Sequence, residues 1–208
     1  KAWEDIYYNK YNNFDNFAYD EAKNLIFKSK KISKYKISKS FLYDKGNLIL
    51  TDERGNLIIF SLEENQVITK FNFYKKKYKK LKKNLNIVVS KSIIYVSDNF
   101  GFIYAFDYKK NKILWAKDNK IPFRSNLKIV DNKLLTSDQN NRVFIFDKND
   151  GNILRLIPTE ETKIKNNFKN NFSLNNESIF ILNTYGSLYS INNVSSNVKW
   201  VTNLNQSI

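Results

Sequence analysis

The sequence predicts an all-β fold, namely a β-propeller of four-stranded antiparallel blades with four blades in this chain. Three observations support this prediction. Ile, Val, Tyr, Phe and Asn are abundant in the 208 residues, a composition typical of many short strands joined by polar turns. A motif recurs four times at a period typical of propeller blades. Strand-length apolar runs bounded by Asn, Asp and Gly precede the motif in every repeat.

The repeat becomes visible when four segments are aligned on their first residues, Gly55, Gly101, Asn141 and Gly186. These anchor residues are 46, 40 and 45 positions apart, which matches the spacing of propeller blades. The aligned segments need no gap and read GNLIIFSLEENQVIT, GFIYAFDYKKNKILW, NRVFIFDKNDGNILR and GSLYSINNVSSNVKW. Four gap-free matches at this spacing predict four equivalent structural units.

Residues that favour turns occupy the same places in each repeat. Three residues before the anchors stand Asp52, Asp98, Asp138 and Asn183, whose side chains can accept hydrogen bonds from backbone N–H groups. The anchors are Gly or Asn, which tolerate the positive φ of hairpin turns. Later turn positions are Ser61, Asp107, Asp147 and Asn192, followed by Asn65, Asn111, Gly151 and Ser196. We therefore interpret these aspartates as structural turn residues rather than metal ligands.

Two tryptophans, Trp115 and Trp200, lie at the same repeat position, fourteen residues after their anchors. Thr69 and Arg155 occupy this position in the first and third repeats. A tryptophan can form a stacking platform for a ligand. The identical position in two blades instead favours packing between neighbouring blades.

The repeats divide residues 34–208 into four blades, at about 34–73, 85–118, 125–157 and 171–204. Residues 1–33 do not fit the repeat, and we expect them to be the end of a preceding blade or a strap that closes onto the first blade. A short helix is predicted around Tyr19–Phe27. Because four-bladed rings are uncommon, we expect half of an eight-bladed ring with an open apolar face at one or both ends.

The best-preserved repeat, residues 101–117, resembles the blade motif of the quinoprotein-like propeller family, also called the PQQ-type repeat. The resemblance rests on Tyr104, Ala105, Phe106, Asp107, Asn111, Lys112, Ile113, Leu114 and Trp115. The third repeat keeps Phe146, Asp147, Gly151 and Ile153, and the fourth keeps Tyr189, Asn192 and Trp200. The first repeat is the most degenerate, and the resemblance covers about residues 34–204.

One branch of this family consists of quinone-dependent dehydrogenases. The resemblance to that branch implies an adjacent Cys pair and a calcium ion bound by acidic and amide side chains. This sequence contains no Cys, no His and no matching acidic cluster. The absence of Cys and His also excludes thiol and imidazole catalysis and zinc sites built from those ligands. We therefore expect no catalytic, cofactor-binding or metal-binding residues.

The other branch is not enzymatic and includes the propeller lipoproteins of the bacterial outer-membrane β-barrel assembly machinery. Resemblance to this branch implies a scaffold at the periplasmic face of the outer membrane. The implied partners are the assembly complex and unfolded barrel proteins. A lipid anchor outside this chain could attach it to the membrane.

The formal net charge of +15 indicates attraction to an anionic partner, or else a lysine-rich composition on solvated positions. Seven lysines are concentrated between the first two blades, at Lys75, Lys76, Lys77, Lys79, Lys80, Lys82 and Lys83. They are candidate contacts for phosphates, lipid headgroups or an acidic protein. Nucleic acid is a less favoured partner because Arg is scarce and Tyr78 is the only aromatic residue within the run.

Three alternatives to the scaffold hypothesis therefore remain open at the level of sequence. The first is a basic propeller that binds anionic partners such as lipid surfaces or nucleic acid, and whose binding weakens with salt. The second is a fragment of a quinone-dependent dehydrogenase. The third is a sensor propeller attached to a kinase or a membrane helix.

Overall fold

The computed structural model describes residues 2–13, 25, 27–75, 78, 80–161 and 168–205. The predicted helix around Tyr19–Phe27 lies almost wholly outside these residues. Within them, sixteen strands form four separate sheets of four strands each. Every sheet is an antiparallel meander whose strand order follows the sequence, so each sheet is one blade.

The strands follow the repeat. Blade 1 contains β1 (Leu42–Asp44), β2 (Asn47–Thr51), β3 (Asn56–Ser61) and β4 (Gln66–Asn72). Blade 2 contains β5 (Leu85–Ser90), β6 (Ile93–Asp98), β7 (Phe102–Asp107) and β8 (Lys112–Asp118). Blade 3 contains β9 (Lys128–Val130), β10 (Lys133–Ser137), β11 (Val143–Asp147) and β12 (Ile153–Ile157). Blade 4 contains β13 (Asn171–Leu174), β14 (Ser178–Leu182), β15 (Ser187–Asn192) and β16 (Val198–Asn203).

The turn residues of the repeat hold the hairpin between the second and third strands of each blade. Oδ1 of Asp98 accepts hydrogen bonds from the backbone N–H groups of Phe100 at 2.9 Å and Phe102 at 2.8 Å. Asp52, Asp138 and Asn183 accept the corresponding two bonds in their own blades. The hairpin backbone thereby satisfies one oxygen of each of these buried side chains.

A β-bulge recurs where the third strand of each blade pairs with the fourth. The register shifts between the fourth and fifth residues after the anchor in all four blades, for example between Ala105 and Phe106. A bulge inserts an extra residue and increases the local twist of a strand pair. Its repetition therefore gives all four outer strands the same bend.

Neighbouring blades pack face to face through three apolar cores. Leu57 and Ile59 of blade 1 meet Tyr104 and Phe106 of blade 2 in the first core. The second core lies between blades 2 and 3, and the third between blades 3 and 4. Residues at even and odd positions of the third strand enter different cores, because successive side chains of a strand point to opposite faces.

Residues 2–13 pass along the innermost strands of all four blades. Trp3 exchanges two backbone hydrogen bonds with Tyr43 of β1, and the backbone oxygen of Glu4 accepts one from Val89 of β5. At the other end, the backbone oxygen of Lys10 accepts a bond from Leu174 of β13. We call residues 2–13 the strap, because this one segment contacts blades 1 to 4 in turn.

Candidate interaction surfaces

A buried ion pair fixes the strap to blade 3. The ammonium group of Lys128 in β9 lies 2.8 Å from Oδ2 of Asp5, and Lys128 has no exposed surface. The same ammonium also donates to the backbone oxygen of Asn9 at 3.1 Å and to Oδ1 of Asn12 at 2.5 Å. Burial raises the pKa of Asp5 and lowers that of Lys128, while their mutual attraction opposes both shifts. All three acceptors of the buried charge therefore belong to the strap.

A cavity of about 670 Å³ lies between the strap and the innermost strands of blades 2 and 3. The strap contributes Glu4, Asp5 and Tyr8 to its lining, and Val89 and Ile129 line the opposite side. Burial raises the pKa of Glu4, and the nearby carboxylate of Asp44 adds to this shift. The inner side of the four blades thus holds the strap through backbone hydrogen bonds and the Lys128 side chain, and leaves space beside it.

The basic run does not form one uniform surface. Lys75, Lys80 and Lys82 are exposed, whereas Lys76, Lys77 and Lys79 lie outside the described residues. Lys83 is only 4% exposed, and its ammonium lies 4.9 Å from the ring centre of Tyr74 and donates to the backbone oxygen of Tyr78. Burial lowers the pKa of Lys83, and the neighbouring charge of Arg54 adds to this shift. Lys83 is therefore packed within the connection between blades 1 and 2.

A second cavity, of about 430 Å³, opens beside this run. Lys36, Lys39, Lys82 and Lys83 line it together with Asp52 and Glu53. Four of these six charged side chains are basic, so the cavity has an excess of positive charge. This excess would attract an anionic partner to the cavity.

The two equivalent tryptophans differ in their surroundings. Trp115 is 8% exposed because it packs on blade 3, where its indole N–H donates to the backbone oxygen of Lys148 at 2.9 Å. Trp200 is 43% exposed.

The turn residues after the third strand bind their own backbone. Asp107 accepts bonds from Lys109 and Lys110, and Asp147 accepts one from Asn149.

Sequence reasoning missed the strap's ion pair and a polar network at Glu160. Glu160 accepts hydrogen bonds from Tyr189 at 2.6 Å, Ser187 at 3.0 Å and Asn183 at 3.1 Å. Asp5 and Lys128 are 123 positions apart, and no local pattern links them. The sequence offers one indication that Lys128 has a buried partner, because the other residues of its strand, Ile129 and Val130, are apolar.

Within the described part of the chain, no group of three or more acidic side chains is placed to hold a metal ion. The same residues include no helix long and apolar enough to span a membrane.

No family model matches the sequence, and no curated protein matches it. Solved structures do match the fold. BamB from Moraxella catarrhalis has a TM-score of 0.65 and 13% sequence identity over 77% of this chain and 51% of BamB. The chain is a β-propeller. This confirms the predicted fold class, and the propeller spans about half the length of BamB.

Two further structures are similar to this propeller. The computationally designed Ika4 protein has a TM-score of 0.61 and 8% identity over 79% of this chain and 99% of Ika4. Saccharomyces cerevisiae Sqt1 has a TM-score of 0.61 and 12% identity over 74% of this chain and 43% of Sqt1. At these identities the similarities establish the fold.

Proposed function

We propose that this protein is a non-enzymatic, protein-binding propeller scaffold. The observation that carries this proposal is the strap. The innermost strands already bind residues 2–13 through backbone hydrogen bonds from β1, β5 and β13. The first residues of this segment form antiparallel bridges, Trp3 with Tyr43 and Asp5 with Val88. Adding an extended segment to exposed strand edges is a general mode of peptide recognition. A surface that binds its own residues 2–13 in this way is chemically suited to bind other polypeptides.

We further propose that the scaffold serves the assembly of outer-membrane β-barrel proteins from the periplasmic face of the outer membrane. Two things support this finer proposal, namely the PQQ-type motif at 101–117 and the similarity in fold to BamB. The proposed partners are the central subunit of the assembly complex and unfolded barrel proteins. The packed cores between blades provide a firm frame for such contacts, because close-packed interiors have low compressibility.

The test is recovery of partners from bacterial envelope extracts with the full-length tagged protein, washed at low and at high salt. We expect the assembly subunit, identified by mass spectrometry, to be retained at both salt concentrations. A variant with Lys75→Gln, Lys80→Gln and Lys82→Gln serves as a matched control, since these exposed lysines should not affect a contact made through shape. Loss of the subunit from the unchanged protein at low salt would refute the assembly role.

A second candidate function is binding of an anionic surface, and the cavity lined by Lys36, Lys39 and Lys82 favours it. Binding driven by these charges would weaken steeply as salt rises, because the attraction is screened and counterions are released. Lys36→Gln, Lys39→Gln and Lys82→Gln in one variant distinguish the two functions. They should abolish binding to vesicles containing anionic lipid, and leave recovery of a protein partner unchanged.

A further inference from the structure

The outermost strand of blade 3 is an open edge of its sheet. β12 pairs with β11 on one side, and no other strand of the described residues lies on its outer side. In an antiparallel pair, alternate residues direct their backbone N–H and C=O groups away from the partner strand. β12 therefore presents a row of backbone donors and acceptors that a further strand can bind.

The composition of β12 distinguishes this edge from the other three outermost strands. Proteins commonly protect exposed sheet edges with lysine. Each of the other outermost strands contains an exposed lysine, namely Lys70 in β4, Lys112 in β8 and Lys199 in β16. β12 contains no lysine, and three of its four exposed side chains are the apolar Ile153, Leu154 and Leu156. This edge thus combines open backbone groups with an apolar surface.

The two sides of β12 differ in chemistry. Leu156 pairs with Phe144 of β11, which enters the core shared with blade 2. Ile153 pairs with Phe146 of the same core, so it lies on the same side as Leu156. Arg155, the fourth exposed residue, pairs with a residue of the core shared with blade 4. The strand therefore presents apolar side chains on one side and a positive charge on the other.

A cavity of about 290 Å³ lies beside the apolar side of β12. Ile103 and Phe146 are buried and line it together with Ile153. Lys117 of blade 2 also lines the cavity, and its ammonium donates to Oδ1 of Asn152 at 2.9 Å. An added strand is recognised through backbone hydrogen bonds together with pockets for its alternate side chains. The outer edge of blade 3 provides both.

Pairing of β12 with a second copy of itself is unfavourable. The antiparallel register that pairs all five residues places the two copies of Arg155 directly opposite each other, and like charges in this position destabilise a strand pair. Each chain also carries a net charge of +15. Within the described residues, the guanidinium of Arg155 donates to a neutral group, Oδ1 of Asn197, at 3.3 Å. An acidic side chain from another protein would complement this charge.

We propose that the outer edge of blade 3 binds an extended segment of another protein as a fifth strand of the sheet. The segment carries an acidic side chain opposite Arg155 and apolar side chains at the two neighbouring positions, on the side of Ile153 and Leu156. This inference goes beyond the proposed function and does not depend on it. β12 is the outermost strand of blade 3, whereas the strap contacts the innermost strand, β9.

The test is an NMR titration of the full chain, residues 1–208, with the capped peptide Thr-Thr-Val-Glu-Val-Thr-Thr. We expect the peptide to slow hydrogen exchange of the β12 amides that point away from β11, and to leave the amides of β4 unchanged. The same peptide with Lys in place of Glu should bind about fivefold more weakly, because its charge repels Arg155. Unchanged exchange throughout β12 in millimolar peptide would overturn the proposal.

Two matched variants locate the binding site. Leu156→Lys places a charge on the proposed edge, and Ile68→Lys places one on the outermost strand of blade 1, where the original side chain is equally exposed at 43%. We expect Leu156→Lys to weaken binding of the Glu peptide by about tenfold and Ile68→Lys to leave it unchanged. Equal losses for the two variants would contradict a site at β12.

A charge reversal tests the predicted partner of Arg155. Arg155→Glu should reverse the preference of the protein, so that the Lys peptide binds more tightly than the Glu peptide. A preference for the Glu peptide that survives this substitution would attribute binding to the overall positive charge and refute the proposal. Sedimentation of the chain alone provides a further measurement. Self-association that Leu156→Lys abolishes would assign the edge to a second copy, contrary to the proposal.

Discussion

Lys128 carries a charge but has no exposed surface, so the fold must compensate for the loss of its hydration. Asp5, Asn9 and Asn12 supply its acceptors. Removing one partner of a buried ion pair leaves the other charge without compensation. We predict that Lys128→Met lowers the free energy of unfolding by about 3–5 kcal/mol, measured by urea denaturation.

The double variant Lys128→Met with Asp5→Leu should recover most of that loss, because neither charge then remains buried. Lys120 and Asp118 provide a control pair at 2.6 Å in which the lysine is well exposed. Lys120→Met should leave the unfolding free energy unchanged within error. An equal loss for Lys120→Met and Lys128→Met would show that the ion pair does not anchor the strap.

Gly151 is constrained twice, by a φ of 71° and by the adjacent ring of Trp115. Gly46 has a similar φ of 82°, but no atom lies within 4 Å of the position of its missing Cβ. Both alanine substitutions incur the cost of a left-handed backbone. Gly151→Ala should destabilise the protein by about 1–3 kcal/mol more than Gly46→Ala, because of overpacking alone. Equal thermal denaturation midpoints for the two variants would contradict the packing of Trp115 on this turn.

At the scale of elements, the segment that joins β12 to β13 is attached to blade 4 through Glu160. Burial alone would raise the pKa of this carboxyl, but hydrogen bonds from Tyr189, Ser187 and Asn183 outweigh burial and hold the pKa below its ordinary value of 4.5. Burial and the neighbouring carboxylate raise the pKa of Tyr189, so its hydroxyl remains a donor at neutral pH.

Because the folded-state pKa of Glu160 is lowered, its ionised form stabilises the fold above pH 4.5. That contribution is lost as the pH falls through the folded-state value. We predict that Glu160→Gln is destabilising at pH 7 and that the difference from the unchanged protein shrinks towards pH 3. Denaturant titrations at several pH values measure this difference. A difference that is constant with pH would show that the carboxylate does not titrate in this network.

The sequence predicts the strands well because each one is bounded by residues with a local effect. Asp98 and Gly101 define the turn between β6 and β7 through bonds made within five residues. The repeated bulge could not be predicted, because no residue type marks it. Ile59, Ala105, Ile145 and Ser190 share its position and little else.

The candidate surfaces were less predictable than the strands, because they depend on contacts between distant parts of the chain. Lys83 belongs to the basic run in sequence, yet Tyr74 and Tyr78 bury it. The sequence predicts residues 1–33 as the end of a preceding blade or as a strap that closes onto the first blade, and the strap at residues 2–13 is part of this segment. In the structure it contacts all four, and its partners lie up to 165 positions away. Contacts of this kind follow from the arrangement of blades and not from local sequence.

At the scale of the whole molecule, the propeller combines four packed blades with an inner side that binds residues 2–13. Three continuous cores join the blades, and the strap connects all four along their inner strands. The scaffold proposal requires recognition by shape rather than by charge, even at a net charge of +15. The salt dependence of binding therefore separates the two accounts.

The most direct test is the equilibrium dissociation constant between the purified full-length protein and the purified periplasmic domains of the assembly subunit, measured from 50 to 500 mM salt. For a contact made through shape, we predict that the dissociation constant changes by less than about tenfold across this range of salt. The contrary result is absence of binding to these domains together with binding to anionic vesicles at low salt only. That outcome would identify the protein as a basic propeller that acts on anionic surfaces.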